Sequence, residues 1–67
     1  MTVSYRRFVI GTKERPTVFL TSGGEVSDHA EDARLFEILE DANAEIQNCD
    51  EPELFKVYGV SINVCGL

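Results

Sequence analysis

The sequence predicts an α+β fold: a small, mostly antiparallel sheet of three to four strands with one helix packed on one face. Three observations predict it. Two short runs rich in β-branched and aromatic residues open the chain on either side of a Gly/Pro-containing turn. Apolar residues at helical spacing, Leu35, Leu39, Ala42 and Ile46, occupy its middle. A third and longest apolar run closes it. The 67 residues make a single domain over 1–67, and a domain of this size buries only about 60% of its unfolded surface.

Residues 3–10, VSYRRFVI, form the first strand, since Tyr5, Phe8, Val9 and Ile10 favour extended backbone and Arg6 and Arg7 interrupt any helical stripe. Residues 11–16, GTKERP, are a polar turn punctuated by Gly11 and Pro16. Residues 17–21, TVFLT, form a second strand, in a hairpin with the first. Ser22-Gly23-Gly24 turns the chain again, through a tight turn that needs a positive φ.

Residues 25–49 admit two readings. In one, Asp28 and Glu31 form a capping box that opens a single long helix. In the other, residues 33–36 are a short third strand and the helix starts near Ile38 or Leu39, with Glu40 and Asp41 at its positive end. Residues 48–52, NCDEP, end the helix either way.

Residues 54–64, LFKVYGVSINV, form the last strand, and its alternation changes phase. Phe55 and Val57 share one parity, whereas Val60, Ile62 and Val64 take the other. Gly59 stands at the change, which predicts a β-bulge or bend that returns the second set to the core side. The expected core is Phe8, Val18, Leu20, Leu39, Ala42, Ile46, Val57, Val60 and Ile62.

Charge is strongly segregated. Residues 25–53 hold eleven of the twelve acids and one base, Arg34, for a sum of −10, while residues 1–24 sum to +3 and the whole chain to −6. Such a field steers partners rather than specifying a fold. It repels nucleic acid and anionic membrane, so neither is an expected partner. With no apolar run of about 18 residues, no membrane span is expected either. The expected location is the cytoplasm.

Cys49 and Cys65 are expected to remain free thiols, because a ten-residue strand of about 33 Å carries Cys65 away from Cys49. No catalytic signature stands out. His29 has no cysteine or serine neighbour with which to form a nucleophile–base pair. Gly23-Gly24 lacks the Lys-Ser/Thr of a phosphate loop, and Asp28, Glu31 and Asp32 lack the Asp/Asn-Gly pattern of a calcium loop. No enzyme activity, metal or cofactor is expected.

The succession of Phe19-Leu20-Thr21, residues 24–28 (GEVSD), residues 31–36 (EDARLF), Glu40-Asp41-Ala42 with Ile46, and a hydrophobic last strand resembles a class of very small bacteriophage proteins with a βββαβ or ββαβ layout. The resemblance spans roughly residues 5–64 and rests on turn glycines, small alanines and core Phe or Leu. Glu37 and Ile38 stand where that pattern has a Ser, Thr or Asp cap. The resemblance implies a host-takeover or anti-defence factor of the anti-CRISPR kind.

The acids suggest how such a factor would act. Glu37, Glu40, Asp41 and Glu45 have i, i+3, i+4 and i+8 spacing, which would place four carboxylates on one helical face, and Asp28, Glu31 and Asp32 would extend the row. Helix turns repeat every 5.4 Å or so and phosphates about every 7 Å along a strand, so such a row approximates a nucleic-acid backbone. The expectation is a non-catalytic inhibitor that occupies a basic nucleic-acid-binding site on a larger host protein or ribonucleoprotein complex. The alternative is a self-associating structural or regulatory module, a homodimer formed by pairing of open sheet edges.

Overall fold

A computed structural model describes residues 2–65. Strands β1 (Thr2–Thr12), β2 (Phe19–Leu20), β3 (Val26–Ser27) and β4 (Phe55–Cys65) form one antiparallel sheet in the order β3-β2-β1-β4. Helix α1 (Leu39–Gln47) packs against one face of it. This is the α+β arrangement the sequence predicts.

The dominant element is the ladder between the two ends of the chain. β1 and β4 pair without interruption from Thr2–Cys65 to Thr12–Phe55. Gly59 sits in register opposite Phe8, so the bulge expected there does not form. The change of apolar phase is handled in another way. Phe55 and Val57 face α1 and pack on a core of Ile10, Phe36, Ala42 and Ile46, joined by Phe8 and Leu20. Val60, Ile62 and Val64 keep the opposite parity and point to the other face. Length explains this. The nine residues of α1 span about 14 Å, whereas the eleven of β4 span about 36 Å. The helix cannot cover the second half of the strand, so a bulge there would gain nothing.

The core list changes accordingly. Phe8, Leu20, Ala42, Ile46 and Val57 belong to the core as expected. Val60 and Ile62 do not, because they lie on the face opposite the helix. Leu39 is 43% exposed, since it occupies the first helical position, ahead of the buried pair Ala42 and Ile46. Val18 is half-buried and outside the cluster. Val9, Ile10, Ala33 and Phe36 take these places among the most buried residues.

Residues 25–49 follow the split reading, with an amendment. Asp28 and Glu31 open no long helix; a 3-10 turn at Ala30–Asp32 stands there instead. Residues 33–36 are extended but make only isolated bridges, Thr21 with Ala33 and Phe8 with Phe36. Phe8 and Phe36 exchange both N–H···O=C bonds at 2.8 Å. An extended segment here satisfies part of the free edge of β1 and delivers the Phe36 ring to the core, which a continuous helix would not do. Ile38 is the N-cap of α1, with extended backbone and no side-chain cap.

The turns are built locally. Gly24 takes φ +82 in the tight turn between β2 and β3, as the Gly-Gly pair predicts. Thr12 closes the longer connection: its Oγ accepts from the Val18 N–H at 3.1 Å and donates to the Glu14 carbonyl at 3.2 Å.

The radius of gyration is 12.7 Å, against about 11 Å for a compact chain of this length. The excess comes from the outer half of the β1–β4 ribbon, where residues 2–6 are all exposed, and the longest extent reaches 43 Å.

Candidate functional site

The carboxylates singled out in the sequence divide into three groups. Glu37, Asp41 and Glu45 line one open groove of about 560 Å³ between α1 and residues 34–38, with Arg34, Ile38, Ala44 and Asn48 as further walls. Helical spacing brings Asp41 and Glu45 together, while Glu37, which precedes the N-cap, reaches the groove from the extended segment, and Glu40 does not line it. Glu40 and Asp41 sit in the first turn of α1, exposed to solvent, where the positive end of the helix favours them. Among the described residues neither has an ion-pair partner.

Two of the four are compensated, by arginines that the helical spacing does not reveal. Glu45 is 3.7 Å from the Arg34 guanidinium, which also stacks on Phe36 at 4.5 Å. Glu37 is 3.5 Å from Arg7, which stacks on Tyr5 at 4.5 Å. Both arginines are therefore held over an aromatic ring while each meets a carboxylate.

Asp28, Glu31 and Asp32 lie on and beside the 3-10 turn, and the structure separates their roles. Asp32 accepts a hydrogen bond from the Ser27 hydroxyl at 2.8 Å. Asp28 is 3.4 Å from His29 Nε2, and both are exposed. Glu31 lines a hollow of about 320 Å³ with Val9, Ala30, Leu35, Val60 and Ile62. That hollow lies on the face opposite α1, so Glu31 does not extend the acidic surface of the helix. No cluster of three or more His, Cys, Asp or Glu among the described residues is placed to hold a metal ion. No described helix is long and apolar enough to cross a membrane. Cys49 and Cys65 are free thiols.

The feature that sequence reasoning misplaced is the face of the ribbon turned away from the helix. Cross-strand pairs Val3–Val64, Tyr5–Ile62 and Arg7–Val60 run along it in succession. The pairs on the other face of the same stretch are Thr2–Cys65, Ser4–Asn63 and Arg6–Ser61, with Ser4 donating to Asn63 at 2.6 Å. One side of the projecting ribbon is therefore apolar and the other polar. The signal is legible as alternation in residues 2–6 and 60–64 once the missing bulge is known, with Arg7 a charged residue on the apolar side.

Comparisons with protein-family models, with curated proteins and with solved structures found no match to this chain.

Proposed function

We propose that this protein is a non-catalytic inhibitor of the phage anti-defence type, acting in the host cytoplasm by occupying a basic nucleic-acid-binding surface on a larger protein or ribonucleoprotein complex. One observation carries the reading. Helix α1 holds acids but no base, anchors itself through Ala42 and Ile46 alone, and presents Glu40 and Asp41 unpaired to solvent. Glu45 on the same helix and Glu37 beside it line the adjoining groove, each offset by an arginine, Arg34 and Arg7. A row of carboxylates fixed on a packed helix attracts a basic groove over a Debye length and speeds encounter, as a nucleic-acid backbone does.

The test is capture from a bacterial lysate, identification of the bound protein by mass spectrometry, and association kinetics with that protein. E40K/D41K should slow association at least ten-fold, and raising salt from 0.05 to 0.3 M should slow the wild type similarly, a strong effect of the kind seen for steered complexes at roughly these ionic strengths. Unchanged association of the double variant would sink the reading.

A further inference from the structure

We infer that the free edge of β4 is a homodimer interface, along which the β4 strands of two copies pair antiparallel about a two-fold axis at Ser61. The backbone identifies the edge. Phe8 turns its N–H and C=O toward Phe36, away from β4, and Gly59 stands opposite Phe8. In an antiparallel ladder such a pair points its backbone groups outward on both strands, as does every second pair along it. Val57, Gly59, Ser61, Asn63 and Cys65 therefore turn N–H and C=O away from β1, and β4 is the last strand of the sheet. Among the described residues no backbone group bonds them.

The edge of β1 is partly closed off locally. Phe36 takes the groups of Phe8, and the Arg7 guanidinium donates to the Arg6 carbonyl at 2.8 Å. β4 has no such cover, and neither proline nor bulge interrupts it. A long, regular edge of this kind is a template for another strand.

Properties of β4 itself point to a second copy as that strand. Residues 57–65 carry no charge, so two acidic chains meet there without a like-charge contact. About Ser61 the faces match. On one, Val60 meets Ile62 of the second copy and Tyr58 meets its Val64; on the other, Gly59 meets its Asn63 and Ser61 its Ser61. Every outward residue from Val57 to Cys65 is used, for about ten backbone bonds. Main-chain bonds rather than buried area supply the affinity in strand addition. Sliding toward Gly59 brings in Phe55, whose N–H already bonds the Pro52 carbonyl, and sets Lys56 against Ile62. Sliding toward Asn63 carries Val57 past the end of the strand.

This register also supports the projecting half of the ribbon. Residues 2–6 are exposed and pair only with the end of β4, and a two-stranded ribbon is marginal in water. Pairing sets residues 61–65 of each copy beside residues 57–61 of the other, the part that Val57 anchors to the core. An isolated peptide would add a strand with no core behind it. The two Val57 positions stand about 27 Å apart, well beyond the Debye length of about 8 Å at physiological salt. The acidic helices therefore do not oppose pairing, and α1, which packs on a face, stays uncovered in both copies.

Sedimentation equilibrium of the full chain from about 5 to 500 µM, a range that brackets weak association, should show a monomer–dimer equilibrium. Ser61→Pro removes the N–H at the two-fold axis and should raise the dissociation constant at least about ten-fold. Ser4→Pro places the same residue on the opposite edge of the ribbon and should change it less than about three-fold. At both positions the N–H points away from the β1–β4 ladder. Amide exchange of the unaltered chain needs no variant. Raising the concentration across this range should protect Gly59, Ser61 and Asn63 and leave Ser4 and Arg6 unprotected. A monomer at every concentration overturns the inference. So does equal weakening by the two proline variants. Protection at Ser4 and Arg6 in place of Ser61 would assign the dimer to β1 and overturn it too. Protection of Gly59, Ser61 and Asn63 only on adding a protein captured from lysate, with the chain monomeric by itself, would overturn it by assigning the edge to a foreign strand.

Discussion

Tyr58 lies across Gly11. Its hydroxyl donates to the Thr12 carbonyl at 2.7 Å, and a methyl group on Gly11 would come within 2.9 Å of its ring carbon Cε2. Phe19 closes the other side, edge-on to the Tyr58 ring with centroids 6.1 Å apart. Gly11 is thus a buried strand residue, paired with both Lys56 and Phe19, rather than the first residue of the turn. Its missing side chain is the space the aromatic ring fills. The hydroxyl bond prevents that ring from moving aside.

Gly11→Ala should therefore destabilise the protein by about 1–3 kcal/mol, the cost of overpacking a filled site. Gly59→Ala should do the reverse. No atom lies within 4 Å of where its Cβ would stand, and its φ is not positive, so relief of glycine's backbone entropy should add about 0.5 kcal/mol or more. Urea denaturation of the two variants measures both signs. A bulge at Gly59 would instead make the second substitution costly.

Ile46→Ala should cost about 2–5 kcal/mol, because its side chain is buried against Ile10 and Phe36 and leaves a cavity. Leu39→Ala should cost less than about 1 kcal/mol, since much of that side chain is already in water. Thermal melts of the pair decide whether Leu39 belongs to the core, and at roughly 4–8 °C per kcal/mol for a domain this small the two should separate clearly.

Ile38→Ser should stabilise α1 by about 0.5–1 kcal/mol. Ile38 has N-cap backbone geometry but no side-chain oxygen to accept from the first-turn N–H groups, and it is exposed. A melting temperature that falls would mean that its packing in the acidic groove outweighs the cap.

Charge changes on the two sides of that groove should act in opposite directions on a captured basic partner. E40K/D41K removes unpaired carboxylates and should slow association, with a loss of about 1 kcal/mol in stability because these acids complement the helix N-terminus. Arg34→Gln removes the base that offsets Glu45 and should speed association, while loss of its stacking on Phe36 costs about 0.5–1 kcal/mol. Stopped-flow association and melting on the same samples check both.

The local rules were legible in the sequence. β-Branched and aromatic runs marked β1 and β4, the Gly-Gly pair marked a positive φ, and the spacing of Ala42 and Ile46 marked the buried side of α1, because each depends only on residues a few positions apart. The segregation of acids and the placing of Asp41 and Glu45 on one side of α1 were equally a matter of spacing, whereas Glu37 reaches the same groove from the extended segment before the helix and Glu40 does not line it. What the tertiary structure decided was which side of each strand has a partner. An alternation of period 2 states that two faces differ but not which one a nine-residue helix can reach. That is why Val60 and Ile62 left the core, Gly11 moved from a turn into a strand, and Phe36 reached the core through an extended segment on the edge of β1. The arginines that offset Glu37 and Glu45 were hidden for the same reason: Arg7 lies thirty positions from Glu37 and Arg34 eleven from Glu45, so only the packing of strand against helix brings them together.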